Sequence, residues 1–270
     1  MPFCLQSLSW CDDVHVVDSF SHDQTDVIAK QYGAKFIQNR FTGFGDQRNW
    51  ALEKLKLKYD WVLILDADER TSPELAAEMG ERVEKCGLEV GAFRFRRRFH
   101  LWGKWLRFSS QYPTWVVRLV RKDRTRYINR GHAEMQVVEG RTEGLEQDLI
   151  DENHKDLHAW FARQNDYSTR EAKYELGSAK ARVRALLTRD PLKRRETLKA
   201  IARRLPARPV WFFLYAYFFR LGFLDGIRGL RFCLMKAVYQ EMIVLKRFEI
   251  SGDATTENKP VERHDRRSAG

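Results

Sequence analysis

The chain has 270 residues, 43% of them hydrophobic, enough to bury a large α/β core and carry an appendage. Its formal net charge of +11 points to an anionic partner, either nucleic acid or a membrane surface. The four cysteines (Cys4, Cys11, Cys86, Cys233) have no metal-site spacing and read as free thiols of a reducing compartment, which favours the cytosolic side.

The N-terminus shows neither the basic start nor the sustained apolar core of a signal peptide. No segment reaches the roughly 18–20 uncharged apolar residues of a transmembrane helix. The nearest, residues 210–219, is interrupted by Arg220.

In chain order, residues 14–18 form a short strand ending in Asp18, followed by a polar turn and a helix to about Tyr32 that Gly33 stops. Residues 35–38 read as a second strand. The Gly-containing loop Phe41-Thr42-Gly43-Phe44-Gly45 then leads into a helix that Asp46 is expected to cap. The apolar run Trp61-Val62-Leu63-Ile64-Leu65 predicts a strand buried on both faces, and Asp66, Asp68 and Glu69 follow directly. A helix from Pro73 to Cys86 closes at Gly87. This strand–helix alternation predicts an α/β layer with parallel strands.

The pattern changes after Gly87. Phe93 and Phe95 alternate with Arg94 and Arg96, a one-sided strand, and residues 115–120 form another. From about Asp156 the chain is helical. The segment 180–208 is strongly basic, and 251–270 reads as a disordered tail. The expected division is therefore 1–155 an α/β domain, 156–250 a helical basic and aromatic extension, and 251–270 tail.

Acids at the C-terminal edge of a strand lie where open α/β sheets bind their ligands. Asp66 and Asp68, two apart, can converge on a hard divalent cation, which takes one or two carboxylates plus substrate phosphates. An acidic turn before the helix start Thr71-Ser72-Pro73-Glu74 is the structural alternative.

The succession Val16-Val17-Asp18-Ser19 with Asp23 and Thr25, then residues 43–49 with Ala51-Leu52, then residues 61–69, resembles the inverting family-2 glycosyltransferases. The bacterial subgroup that builds lipopolysaccharide cores and envelope glycans is the nearest match. Trp102-Gly103-Lys104-Trp105, Pro113 with Arg118-Leu119, Gly131-His132-Ala133-Glu134, His154, residues 167–172 and Gly222-Phe223-Leu224-Asp225-Gly226 agree with it.

The resemblance implies a GT-A fold, mixed and mainly parallel, with helices on its flanks and a helical, membrane-associating C-terminal extension. It implies a nucleotide-diphospho-sugar donor, a UDP-sugar first among them, a lipid-linked or lipopolysaccharide-type acceptor, and a divalent cation, Mg²⁺ or Mn²⁺. Carried over by motif, Asp18 and Ser19 face the nucleoside and Arg48 the donor. Asp66 lies near ribose and metal, Asp68 binds the metal, and His154 is a further ligand. Glu134 is the candidate base, with His132 beside it as a hydrogen-bonding residue. The family's chains open with a strand upstream of the segment that residues 4–18 resemble, so the resemblance also implies an upstream extension.

Transfer with inversion needs a base for the acceptor hydroxyl and a stabiliser of the departing diphosphate, the task of a metal acting as a Lewis acid. Arg94, Arg96, Arg98 and Arg118 are available to assist, although a solvated face is the simpler role for each. Glu69 is expected to favour the following helix's positive end.

The clustered aromatics of 211–219 beside arginines suit a lipid–water interface and predict peripheral attachment to the inner face of the cytoplasmic membrane. Packing of those aromatics on the catalytic core is the alternative. Two other functions compete. A sugar nucleotidyltransferase would show a Gly-rich phosphate loop near the N-terminus, and none is visible. A nucleic-acid binder would explain the charge, but no recognisable module appears, so no specific nucleic-acid partner is expected.

Overall fold

The computed structural model describes residues 1–130, 133–154, 156–177, 197 and 206–256. Helix α1 (Pro2–Gln6) precedes the parallel pair β1 (His15–Asp18) and β2 (Lys35–Gln38), with Val16 opposite Phe36. Helix α2 (Thr25–Gln31) makes the crossover that parallel strands require. Gly33, at φ 71°, terminates it in the left-handed conformation glycine adopts without a Cβ penalty. Leu5, Ala29 and Ala34 form a small core beneath this pair.

Helix α3 (Phe44–Lys54) is capped by Gly43; Asp46 sits in the first turn instead, accepting from Thr42 Oγ1 at 3.0 Å. A Cβ on Gly43 would lie 2.5 Å from the Asn129 side chain, so only glycine lets this loop pack there. Asn129 lies on the hairpin β8 (Thr125–Arg130)–β9 (Ala133–Val138), and its Oδ1 accepts from the Gly45 amide at 2.8 Å.

The main sheet has the order β3-β7-β5-β10-β4, with β6 (Lys104–Trp105) on β5. Its strands are β3 (Trp61–Leu63), β4 (Glu69–Arg70), β5 (Val90–Leu101), β7 (Thr114–Arg121) and β10 (Arg141–Asn153). Parallel pairing occurs in β1–β2 and β5–β10; β3–β7, β7–β5, β10–β4 and β5–β6 are antiparallel. Helix α4 (Pro73–Lys85) starts at Ser72, whose Oγ accepts from the Leu75 amide at 3.2 Å. It lays Leu75 and Met79 on Phe93, Phe95, Leu119, Leu145 and Leu149, the largest core.

Strand β3 departs from expectation in two ways. It ends at Leu63, and its residues are half-buried rather than enclosed on both faces. The reason lies in its pairing: only β7 hydrogen-bonds to it. Its other edge faces β1 across a cleft of about 2260 Å³ lined by Val14–Val17 and Trp61–Asp68. Among the described residues no strand fills that slot.

The C-terminal region packs helix α5 (Leu157–Gly177) against the long helix α7 (Gly226–Thr256) through Ala172, Tyr239 and Ile243. Helix α6 (Arg208–Leu214) and the turns to Asp225 join them, and Arg208 pairs with Glu175 at 3.0 Å. The Asp225 carboxylate accepts from the Arg107, Phe108 and Ser109 amides and Ser109 Oγ at 2.6–3.1 Å. Phe232 joins Leu101 and Leu106 in a shared core. Together these dock the helices on the sheet.

Helix α7 continues to Thr256, into the segment expected to be disordered. Residues 257–270, most of the basic block and His132 lie outside the described residues. Among the described residues, no single helix is long and apolar enough to cross a membrane. The pair 208–219 and 222–252 passes only when joined, across a bend of 72°.

Candidate active site

The acid-bearing loop after β3 is organised from below by a buried ion pair. Glu69 is 1% exposed and Arg118, on β7, is 5% exposed. Glu69 Oε2 accepts from the Asp66 amide at 3.0 Å and its Oε1 from Arg118 Nη2 at 2.6 Å. Burial raises the Glu69 carboxyl's pKa, with Arg118 opposing the shift. Burial acts against the Arg118 charge too, but the two acids raise its pKa further. Glu69 therefore anchors the loop rather than serving the α4 terminus, and Arg118 is an interior residue rather than a member of a solvated face.

Asp66 sits between two guanidinium groups, Arg48 Nη2 at 3.0 Å and Arg118 Nη2 at 2.5 Å. Burial works against its ionisation, but Arg118 and Arg48 hold its carboxyl below the usual range. Arg48, on α3, also donates to Glu134 on β9 and stacks over Tyr127 at 5.5 Å. Asp66, Arg48, Glu134 and Arg118 thus form one chain of alternating charge. Its members come from four elements far apart in sequence.

Asp68 is freer. Its side chain is 33% exposed, with Arg163 of α5 at 3.9 Å, and its carbonyl accepts from the Glu152 amide at 2.9 Å. His154 stands apart as a half-exposed ring stacked on Phe3 at 5.1 Å, with Nε2 3.7 Å from Glu152. Among the described residues no group of three or more His, Cys, Asp or Glu side chains is gathered for a metal ion. The donor set consequently fits a cation held by the Asp68 carboxylate and completed by substrate phosphates. Asp66 has each oxygen engaged by one arginine, which leaves a lone pair on each for a cation beside Asp68.

Asp18 ends β1, 6% exposed. Burial opposes its charge, yet the Ser21 amide at 2.9 Å and Gln38 at 3.3 Å keep the carboxyl below its usual range. Ser19 Oγ accepts from Gln47 at 3.2 Å, and Gln47 accepts from Asn39 at 2.7 Å. Phe20 holds φ 62°, a strained conformation for a non-glycine residue, in the loop between β1 and α2.

Arg94, Arg96 and Arg98 face elsewhere. Arg94 stacks on Trp115 at 4.7 Å, while Arg96 and Arg98 clasp Asp148 at 2.9 and 2.7 Å. Further charged groups that carry no motif in the sequence line the cleft, among them Arg97, Asp151, Arg163 and Lys236. Asp151 is pushed up to about 7 by burial, against the pull of Arg97 at 3.4 Å.

The acids after β3, the first turns of α3 and the arginines Arg48 and Arg118 on one cleft suit a charged, phosphorylated ligand. Comparison with known families agrees: the profile described as "Glycosyl transferase family 2" matches residues 9–143. The chain belongs to glycosyltransferase family 2.

With that membership goes the GT-A-type α/β fold. An uncharacterised glycosyltransferase of Rickettsia bellii is 43% identical over 68 residues, 25% of this chain and 22% of the relative. The lipopolysaccharide core biosynthesis glycosyltransferase LpsC of Rhizobium meliloti is 28% identical over 129 residues, 46% of this chain and 47% of that protein. This chain thus spans less than half the length of these curated relatives. Among solved structures, a mannosyl-3-phosphoglycerate synthase from Rubrobacter xylanophilus superposes with TM-score 0.38 at 18% identity, covering 67% of each chain. A superposition that loose carries no argument about the site of this family-2 chain.

Proposed function

We propose that this chain transfers a sugar, with inversion, from a nucleotide-diphospho-sugar to a lipid-linked or lipopolysaccharide-type acceptor. The observation that carries it is the gathering of Arg48, Asp66, Asp68, Arg118 and Glu134 on one cleft inside the segment matched to family 2. Asp18 and Ser19 take the nucleoside, a UDP-sugar being the first donor to test. Asp68 is the ligand for Mg²⁺ or Mn²⁺, which supplies Lewis acidity to the leaving diphosphate when bound. Arg48 and Arg118 fix Asp66 beside it and present positive charge to the donor. Glu134 receives the acceptor proton after Arg48 turns from it to the donor. His154, its ring face on Phe3, would be a further ligand through a ring nitrogen.

The open slot between β1 and β3 supports a further point: the catalytic sheet takes one more extended segment there. The likeness to LpsC supports the acceptor class. The exposed aromatics of the bend after α6 support attachment to the inner face of the cytoplasmic membrane. No observation favours sugar nucleotidyl transfer or specific nucleic-acid binding.

Donor hydrolysis across a panel of nucleotide sugars, with Mg²⁺ and with Mn²⁺, tests the activity. Cleavage of one donor above the rest, lost on Asp68→Ala, is the expected result. No cleavage of any donor with either metal would sink the proposal.

A further inference from the structure

Helix α7 sets Phe232, Lys236, Tyr239 and Gln240 on one face, a helical spacing that aims all four into the cleft. Phe232 and Tyr239 belong to cores. Lys236 lies half-buried between them, its ammonium over the Tyr239 ring at 5.0 Å. No carboxylate pairs with it among the described residues. Its ring partner is Tyr239 on its own helix, and Arg97 from β5, a second cation, lines the same cleft.

Burial first, and Arg97 second, push the lysine down to about 8. Arg97 is itself under-partnered. Its Nε is buried without a hydrogen bond, and its one ion pair, to Asp151, is long at 3.4 Å. Two half-buried cations on one cleft, Arg97 with its side chain 35% exposed, are stabilised by an anion that joins them. The packing of α7 rests on Phe232, Tyr239 and Ile243 rather than on Lys236.

We propose that Lys236 and Arg97 form an anion subsite that takes a phosphoryl group of a substrate. The same chemistry has two sources, the diphosphate of a nucleotide-sugar donor or a phosphate on the acceptor glycan. The subsite lies on the α7 wall of the cleft that also holds Asp68. It rests on the glycosyltransferase proposal only for the name of the substrate, not for the anion.

The test is calorimetric titration of the full chain, in metal-free buffer near pH 7, with inorganic pyrophosphate and separately with UDP. Pyrophosphate is expected to bind, and Lys236→Met to weaken it on the order of tenfold or more, the scale of one charge-assisted hydrogen bond. Lys236→Arg keeps it within a few-fold. If UDP weakens in parallel, the subsite serves the donor's diphosphate; if UDP is untouched while pyrophosphate weakens, it serves an acceptor phosphate.

Lys236→Met should melt at or above the wild-type temperature, because an unpaired cation has left the interior. Equal pyrophosphate binding by wild type and Lys236→Met would overturn the subsite. So would a Lys236→Met protein that melts well below wild type, which would make Lys236 a structural cation. No donor sugar or turnover enters this measurement, so a failed donor-hydrolysis panel leaves its result standing.

Discussion

Asp68 is the residue on which the proposed chemistry turns, because it is the acid of its loop not already held by a guanidinium at hydrogen-bonding distance. Asp68→Ala should leave the unfolding midpoint near wild type and remove donor cleavage; near-native turnover at saturating Mg²⁺ or Mn²⁺ would refute the metal role. Arg118 should behave in the opposite way. Arg118→Met leaves Glu69 buried without its cation, and breaking such a pair costs about 3–5 kcal/mol. Urea unfolding should show that loss, and an unchanged midpoint would mean Glu69 is neutral in the folded protein.

Lys236 sets a pH signature. Its folded pKa, about 8, is lower than the ordinary lysine value near 10.5. Between those two values the unfolded chain binds the extra proton, so stability rises with pH across that window. The penalty is fully present below about pH 8. The rise should be seen in wild type and absent in Lys236→Met when both are melted across this range.

At the scale of elements, the glycine loop before α3 shows how a local sequence is set by a distant partner. Gly43 is the helix cap because Asn129 occupies the space a Cβ would take. Gly43→Ala must displace Asn129 from the Gly45 amide, and overpacking of this kind costs about 1–3 kcal/mol. Thermal melting should show the loss, with weaker donor binding because α3 carries Arg48. The same scale explains β3. Its five-residue apolar run reads as an enclosed strand, but one free edge at the cleft leaves it half-buried and only three residues long.

For the whole molecule, the bend between 208–219 and 222–252 carries Phe219, 82% exposed, and Ile227, 61% exposed, and the exposed Arg228 and Arg231 follow in the chain. The neighbouring acid, Asp225, is buried against the loop after β6. Exposed apolar side chains followed by exposed arginines suit an anionic leaflet. Vesicles containing anionic lipid should float the protein at moderate salt, zwitterionic vesicles should not, and Phe219→Asp should abolish flotation. Retention of the variant on anionic vesicles would remove the bend from the interface.

Sequence alone settled what depends on neighbours along the chain. The periods of 14–18, 35–38 and 73–86 marked strands and a capped helix, and Asp18 and Asp66-Ala67-Asp68 stood out because an apolar run ended in charge. It also carried the family resemblance, since motif order is a linear property. The tertiary structure decided what depends on contacts between distant residues. It buried Glu69 under Arg118, drew Arg48 between Asp66 and Glu134, and set His154 against Phe3. It also made β3–β7 antiparallel and put Lys236 and Arg97 on one cleft. Ion pairing and burial are set by three-dimensional proximity, which no periodicity encodes, so the acids were legible in the sequence and their partners were not.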